Sequence, residues 1–426
     1  MATNTRTLYS NARALFAIQI ANYILPFLLI PYLTRVLGVP LYGIIAFGLA
    51  MVQIACVFTD YGFGLSATYQ IAKQQTNKHA LRKIISAVMI CKAGLLIPVI
   101  ISIGMFIHFQ EAYAEYKIYF WMLLLPIIGQ TFQPIWFFQG IERMTFITIY
   151  TVLSRTLYLA LVVWLVSTPA DFFWVAIANG FAHITASIIG IGMMLRMGYT
   201  PLWPGFTFVK QTFKDSTEFF WSRAAVATYT VGGVFFLGLT SSPTQVAYYS
   251  AAEQLYRGAQ SLFQPISQAL YPHMAKNRNF KIFFRVLKWS TGLSIIGVVI
   301  GILIGPWALI VIFGPKFSQS YTILVIFMIT FTITTPSILL GYPFLGALGD
   351  RRSANLSVIF AGILQALILL TLYLTNSVGA MSVALSILTV EIGVLAYRIR
   401  KSKNLLKTLL NTEEPLTPTK LEKYNS

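Results

Sequence analysis

Seven ionisable side chains interrupt stretches that are otherwise almost wholly apolar: Lys92, Arg155, Arg223 and Arg257 are cationic, and Asp60, Glu253 and Glu391 are acidic. Away from bulk water, Lys and Arg form charge-assisted hydrogen bonds to phosphate or carboxylate, with Arg able to use two at once. Carboxylates at membrane depth are the groups through which carriers exchange protons or hold cations. Arg155, in Thr151-Val-Leu-Ser-Arg155-Thr-Leu-Tyr158, reads either as a lining residue for an anionic substrate or as a structural Arg bonded to backbone carbonyls. Lys92 and Arg223 lie closer to the ends of their segments, so their ammonium and guanidinium groups can also reach the interface by snorkelling.

The most informative single stretch holds Tyr249, Glu253, Arg257, Gln260, Gln264 and Gln268. Spacings of three and four put them on one helical face. Such a stripe cannot face lipid, so it lines a hydrated cavity or a polar helix interface; Glu253 and Arg257, four apart, can also simply neutralise each other. Asp60 precedes Tyr61-Gly-Phe-Gly64, where a helix loosens, and has a helix-end reading as well.

Several chemistries are missing from the pattern. His79, His108, His183 and His273 are far apart and show no metal-ligand spacing, and there is no phosphate-binding P-loop. Gly190-Ile-Gly192 lacks the rest of a dinucleotide fingerprint and suits close helix packing instead. Cys56 and Cys91 fall in apolar stretches and read as small buried hydrophobes, with no metal site or disulfide expected. No cofactor is expected, and any energy for transport must come from an ion or substrate gradient.

The elements that position these residues follow from composition. The chain has 426 residues, 57% hydrophobic and only 10% charged, where a soluble domain has about 25% charged. Lipid is therefore the solvent for most of it. A hydrocarbon core about 30 Å thick needs roughly 20 apolar residues of helix. Such segments are predicted near residues 14–35, 42–68, 84–107, 117–138, 145–166, 172–195, 219–239, 245–273, 283–313, 320–346, 353–375 and 378–398, the ninth read as one helix kinked at Pro306. The first apolar run has no small-residue cleavage site ahead of it and is expected to be an uncleaved helix. Pro26, Pro31, Pro126, Pro134, Pro265, Pro336 and Pro343 interrupt segments and offer hinges.

The net charge of +18 does not gather on one solvated face with aromatics beside it, as nucleic-acid binding would require. Most of the 31 Lys and Arg fall instead in alternate connections and at both ends. The excess of basic residues marks the cytoplasmic side, so both termini are predicted inside. The expected fold is thus an all-α membrane protein of about twelve transmembrane helices: an N-terminal six-helix lobe over 1–205, a C-terminal six-helix lobe over 206–400, and a cytoplasmic polar tail over 401–426, disordered from Pro415. A weak internal repeat at an offset of about 206–208 residues supports the halves, pairing Gly38-Val-Pro-Leu-Tyr42-Gly43 with Pro243-Thr-Gln-Val-Ala-Tyr248-Tyr249 and Glu142-Arg143 with Asp350-Arg351.

Asn22-Tyr-Ile-Leu-Pro26, Pro31-Tyr-Leu-Thr-Arg-Val-Leu-Gly38 and Tyr42-Gly43 together resemble the opening of Wzx-type O-antigen flippases of the polysaccharide transporter family. Asp60-Tyr-Gly-Phe-Gly-Leu-Ser-Ala-Thr68, Pro134-Ile-Trp-Phe-Phe-Gln-Gly140-Ile-Glu-Arg-Met144, Ser242-Pro-Thr-Gln-Val246 and Pro265-Ile-Ser-Gln-Ala-Leu-Tyr-Pro272 are similar to that family's patterns too. The family belongs to the multidrug/oligosaccharidyl-lipid/polysaccharide exporter superfamily. The resemblance implies two six-helix lobes around a cavity that opens to each side in turn. It implies transfer of undecaprenyl-diphosphate-linked oligosaccharide from the cytoplasmic to the periplasmic leaflet of a bacterial inner membrane, with membrane lipids and other O-antigen assembly proteins as partners. The family implies cationic cavity residues in general and no fixed motif; it is depth, charge and side-chain type that single out Lys92, Arg155, Arg223 and Arg257 to hold the diphosphate, Gln130, Gln133, Tyr249, Gln260 and Gln264 to contact sugars, and Asp60, Glu253 and Glu391 to couple to an ion. Two other functions remain open: a cation-coupled multidrug exporter of the same fold, which would want a more acidic cavity, and an O-antigen polymerase or ligase, which would usually carry a large periplasmic loop.

Overall fold

The computed structural model describes the backbone of residues 2–412 and the side chains of residues 27–408. All regular structure in that range is helical. Helices α1 (Ala2–Asp60), α2 (Phe63–Lys73), α3 (Lys78–Phe109), α4 (Lys117–Met122), α5 (Leu124–Phe132), α6 (Ile135–Gly140), α7 (Met144–Leu165) and α8 (Trp174–Arg196) follow one another, then α9 (Phe206–Thr230), α10 (Gly232–Thr240), α11 (Pro243–Ser261) and α12 (Gln264–Asn277). Helix α13 (Phe280–Phe313), α14 (Tyr321–Leu339), a π-helical segment (Leu340–Gly346), α15 (Arg351–Leu374) and α16 (Ala380–Thr412) complete the chain.

Nine helices among the described residues are long and apolar enough to cross a membrane, or ten if α9 and α10, bent by 65°, form one span. The difference from twelve has identifiable places. Helix α1 is continuous except at Gly38, whose φ of 75° and ψ of −177° divide it into 2–37 and 39–60 where two spans were expected. That backbone region is open only to glycine. Helices α11 and α12 carry the polar stripe and are not among those nine, although they cover the expected eighth segment.

Local chemistry accounts for the other boundaries. Asn77 caps α3 by accepting from the Ala80 N–H at 3.0 Å, and Asp350 caps α15 by accepting from Ser353 N–H at 3.0 Å. Asp171 accepts from the Thr168 N–H and hydroxyl, both at 2.8 Å, and closes the turn before α8. Gln133-Pro134 separates α5 from α6, because proline supplies no N–H to the preceding turn. Pro306 lies inside the single helix α13. Helix α16 runs on through 401–412, so the first part of the predicted tail is helical, while the disorder expected from Pro415, like Lys420 and Lys423 and the side chains of Arg6, Arg13, Asn22 and Pro26, lies outside what the structure describes.

The chain divides into two compact units. Unit 1 holds residues 1–251, 307–320 and 378–380, and unit 2 holds 252–306, 321–377 and 381–426. In lipid there is little hydrophobic drive for helices to associate, so packing and interhelical hydrogen bonds must hold each unit. Unit 1 supplies the first through a core of Phe63, Ile71, Ile84, Trp136, Phe137, Phe138 and Tyr150, and through Phe47, edge-on to Phe106 and Phe120 at 5.6 and 5.8 Å. It supplies the second through Ser66–Ser216 (2.7 Å), Thr131–Thr59 (2.9 Å) and the Tyr113 hydroxyl on the Gly238 carbonyl (2.7 Å). In unit 2 the counterparts are a core of Leu270, Met274, Phe283, Leu339, Phe344 and Leu345 and bonds from Gln365 to Ser386 (2.9 Å) and between Tyr256 and Thr334 (3.1 Å).

Candidate functional site

Three of the seven charges meet in unit 1. Lys92, on α3 and 4% exposed at its side chain, donates to Asp60 Oδ1 at 3.0 Å, and the Arg223 guanidinium of α9 stands 3.8 Å from Oδ2. Asp60 is placed by the break at the end of α1. There Tyr61 (φ 45°) and Gly62 (φ 82°) turn the chain left-handed, and the Gly64 N–H donates to Asp60 Oδ2 at 3.3 Å. Asp60 thus stands at a helix end, one of the two readings its position allowed, and there it pairs with one buried and one half-exposed cation.

The same break fixes α9. The Tyr61 ring lies between Phe213 and Phe220, nearly parallel to each at centroid distances of 4.3 and 4.6 Å, and its hydroxyl is 3.3 Å from Thr217 Oγ1. Arg223 follows one turn beyond Phe220 and is delivered to Asp60 by that stack. The arrangement is asymmetric: one buried cation bonded tightly, one 48% exposed and bonded loosely, around a single carboxylate. Its formal charge is +1, and its open side is Arg223.

Arg155 is not part of this group. It sits half-buried on α7 in electrostatic contact with Tyr158 and His183, with no carboxylate in ion-pair range among the described residues. Its surroundings are neutral and polar: Gln133 Nε2 lies 2.9 Å from His183 Nδ1, and Asn179 borders the Tyr158 hydroxyl. Gln133 is thus engaged with His183, and Gln130 stands three residues before it near the end of α5, half-buried. No motif in the sequence marks His183, Tyr158 or Asn179 as binding residues; His183 and Asn179 of α8 come beside Arg155 and Tyr158 only when α7 and α8 pack.

In unit 2 the Arg257 guanidinium donates to Glu253 Oε1 at 2.9 Å, the neutralising pair that the spacing of four allowed. Gln260 Nε2 donates to the Tyr256 hydroxyl at 3.4 Å, and Tyr256 stacks on Phe327 at 5.2 Å. The predicted stripe is divided between two helices: Tyr249, Glu253, Arg257 and Gln260 lie on α11, Gln264 and Gln268 on α12. Tyr249, in unit 1, is fully buried, while Gln264 is exposed. Glu391 is 2% exposed on α16, within electrostatic reach of Arg398. Arg398 itself, the first of the basic run that continues with Arg400, Lys401 and Lys403, is buried, at 9% exposure, and bonded to α14 and α15.

Comparison with known proteins adds three findings. Residues 8–278 match the family described as "Polysaccharide biosynthesis protein". A candidate O-antigen transporter of Escherichia coli (strain K12) is 29% identical over 399 residues, covering 92% of this chain and 95% of that protein; one of Shigella dysenteriae is 26% identical over 400 residues, covering 92% and 99%. Among solved structures, the lipid II flippase MurJ in an inward closed conformation aligns with a TM-score of 0.70 at 14% identity, over 95% of this chain and 90% of that one. An inward-facing multidrug resistance MATE family transporter of the MOP superfamily aligns at 0.66, also 14% identical, over 91% and 99%. At such identities the likeness is one of fold. Taken with the apolar helices and the motifs from Asn22 to Met144, the family match means that this multi-pass membrane chain belongs to the polysaccharide biosynthesis protein family, the group to which its Wzx-like pattern pointed.

Proposed function

We propose that the protein is a flippase that carries an undecaprenyl-diphosphate-linked O-antigen oligosaccharide from the cytoplasmic to the periplasmic leaflet of a bacterial inner membrane. The observation that carries this reading is the Asp60 group: two cations, one of them half-exposed, around one carboxylate within an apolar helical unit. Phosphoryl oxygens are stronger acceptors for a guanidinium than water is, and a diphosphate can bind Arg223 without first displacing its loosely held carboxylate. A cationic drug would meet repulsion from the same group. The names of the relatives in Escherichia coli and Shigella dysenteriae support the cargo, and the absence of a nucleotide motif fits carriage without a reaction.

Arg155 and Arg257 are assigned secondary roles in the same reading. Arg155, set among Tyr158, Asn179 and His183, offers a cation and neutral hydrogen-bonding groups side by side, as a phosphate next to a sugar requires; Gln130, Gln133, Tyr249, Gln260 and Gln264 are the proposed sugar contacts. Transport follows alternating access of the two lobes, with both termini cytoplasmic and twelve spans. Coupling to a proton or sodium gradient runs through Asp60, Glu253 or Glu391.

The test is replacement of Lys92, Arg155, Arg223 and Arg257 by Ala, one at a time, in a strain lacking the gene. Surface polysaccharide and the leaflet position of lipid-linked units are measured. Accumulation on the cytoplasmic side in the Arg223 variant is expected, and full surface polysaccharide in all four variants would overturn the proposal. Proteoliposomes with imposed pH or sodium gradients test coupling: flipping indifferent to both removes the three acids from that role.

A further inference from the structure

Two helices in the chain are broken at equivalent places. Helix α5 stops before Gln133-Pro134, and 207 residues later Gly341 leaves helical geometry (φ −68°, ψ −116°) inside the π segment that follows α14. Each broken stretch ends the same way, with a residue of positive φ, Glu142 (58°) or Gly349 (102°), followed by the first cap of the next helix, Arg143 or Asp350. A break frees carbonyls that lose their i+4 donors, and in lipid every one of them needs another partner.

The two units satisfy that demand differently. Around the first break the donors are short: Ser187 to the Gly129 carbonyl, Thr68 Oγ1 to Trp136 O at 3.0 Å, and Gln75 Nε2 to Gly140 O at 2.9 Å. Each of them reaches a single carbonyl of the broken stretch, Thr68 also bonding Gly64 O of its own helix at 2.8 Å. Around the second break the donor is the buried Arg398 of α16, whose Nη1 binds Ser337 O at 2.8 Å and Ser337 Oγ at 3.1 Å while Nε binds Ser357 Oγ at 2.9 Å. The guanidinium also packs on Gly341 itself, so that a Cβ there would meet Cζ and Nη1 at 3.2 Å.

Arg398 has a second place to go. Glu391 lies seven residues earlier on α16, hence on the same face and about 10 Å away along the axis at 1.5 Å per residue. Its carboxylate is buried, has no ion pair or hydrogen bond among the described residues, and faces the charge of Arg398. Arg398 leans toward the N-terminus of α16, the direction of Glu391, and the Glu391 carboxylate has to turn back toward it to meet the guanidinium. An extended Arg and Glu together span that distance. Upstream, Gln365 on Ser386 braces α15 to α16, so exchange of the guanidinium loosens the Gly341 end alone.

We propose that the Gly341 break is a hinge latched by Arg398, with the Glu391 carboxylate as the guanidinium's alternative berth, and that it is the joint at which unit 2 changes shape. The break in unit 1, held by short donors, is the fixed one. Arg398 acts as a positioning residue, and the device is independent of what cargo is carried.

The test uses the full chain in lipid nanodiscs, with Cys56→Ala and Cys91→Ala to remove the two native thiols, and spin labels at Ile329 and Arg352 on either side of the hinge. A control pair at Leu367 and Leu385 spans the braced region. Electron–electron distance distributions are compared. Arg398→Gln is expected to broaden the 329–352 distribution and leave 367–385 unchanged. Glu391→Gln, which removes the alternative berth, is expected to narrow 329–352 to a single distance, and Arg398→Lys to fall between Arg398→Gln and the parent. Gly341→Ala crowds the guanidinium out of its present berth, so it should broaden 329–352 only while Glu391 is intact. That variant keeps the proposal testable should Arg398→Gln fail to fold. The proposal is overturned by unchanged 329–352 distances in Arg398→Gln or Gly341→Ala, or by equal broadening of both pairs. None of these readouts depends on transport, so a failure here is separable from a failure of the flippase reading.

Discussion

Removing Asp60 should cost far more than removing Lys92, although the two form one ion pair. Asp60→Ala leaves the Lys92 ammonium, 4% exposed at its side chain, with no counter-charge. Stripping one partner from a buried pair costs about 3–5 kcal/mol, and the 21% exposure of Asp60 argues for the lower end, about 3 kcal/mol. Lys92→Met replaces the ammonium by an apolar chain of similar length. Asp60 then still has Arg223 and the Gly64 N–H, so the loss should be about 1 kcal/mol or less, as for a partly exposed pair. The double variant should resemble Lys92→Met, recovering about 2 kcal/mol relative to Asp60→Ala, since the orphaned charge is gone. Equilibrium unfolding by sodium dodecyl sulfate in mixed micelles, followed by circular dichroism, measures all three. Equal losses in the two single variants, or a double variant at their sum, would refute the argument from an uncompensated buried cation.

Other expectations follow from contacts already described. Arg223→Ala should change stability by less than about 1 kcal/mol, because the pair is long and half-exposed, yet should lose most surface polysaccharide. A variant destabilised and transport-competent would reverse that assignment. Tyr61→Phe should be close to neutral, whereas Tyr61→Leu forfeits two stacked faces worth about 0.5–1.5 kcal/mol each; the same unfolding assay distinguishes them. Gly238→Ala would bring a Cβ to 2.0 Å from the Phe47 ring and should cost about 1–3 kcal/mol by overpacking, read as reduced folded yield after membrane extraction. Arg257→Ala takes the ion-pair partner from the Glu253 carboxylate, 12% exposed at its side chain, and should cost about 3 kcal/mol, as for a buried pair that loses one member; a loss below about 0.5 kcal/mol in the same assay would refute that.

Much of the architecture is legible in the residues. Apolar length alone locates α3, α7, α8, α13, α15 and α16, because lipid demands it. The turn at Gly38 is legible from Gly38-Val-Pro40, and the breaks in the fourth and tenth segments from Pro134 and Pro343. Hydropathy fails at α11 and α12, where a polar face lowers the average below that of a spanning helix while the segment keeps its place. The site is only half legible. Depth and charge pick out Lys92, Asp60 and Arg223 one by one, but their meeting depends on the left-handed turn at Tyr61-Gly62 and on the stacking of Tyr61 against α9, which no spacing rule announces. Arg398 was hidden for the opposite reason: a run of Arg398, Arg400, Lys401 and Lys403 reads as a solvated flank, and only packing shows that the first of them points inward to Ser337 and Ser357.

Gly38 has a consequence for how this sequence can drift. Its surroundings are empty, with nothing within 4 Å of where a Cβ would stand, so no neighbour forbids a larger residue there. The constraint comes from handedness alone: a φ of 75° with extended ψ suits an achiral residue and strains any L-amino acid, whatever its size. Every codon one base away from glycine's that encodes an amino acid other than glycine encodes a chiral one. The position therefore has no neutral neighbours in mutational space, unlike Gly292 and Gly297, which are just as open but helical and can become alanine at no steric cost. A chemist could relieve the constraint where evolution cannot, since D-alanine at position 38 would keep the turn and restrict the unfolded chain.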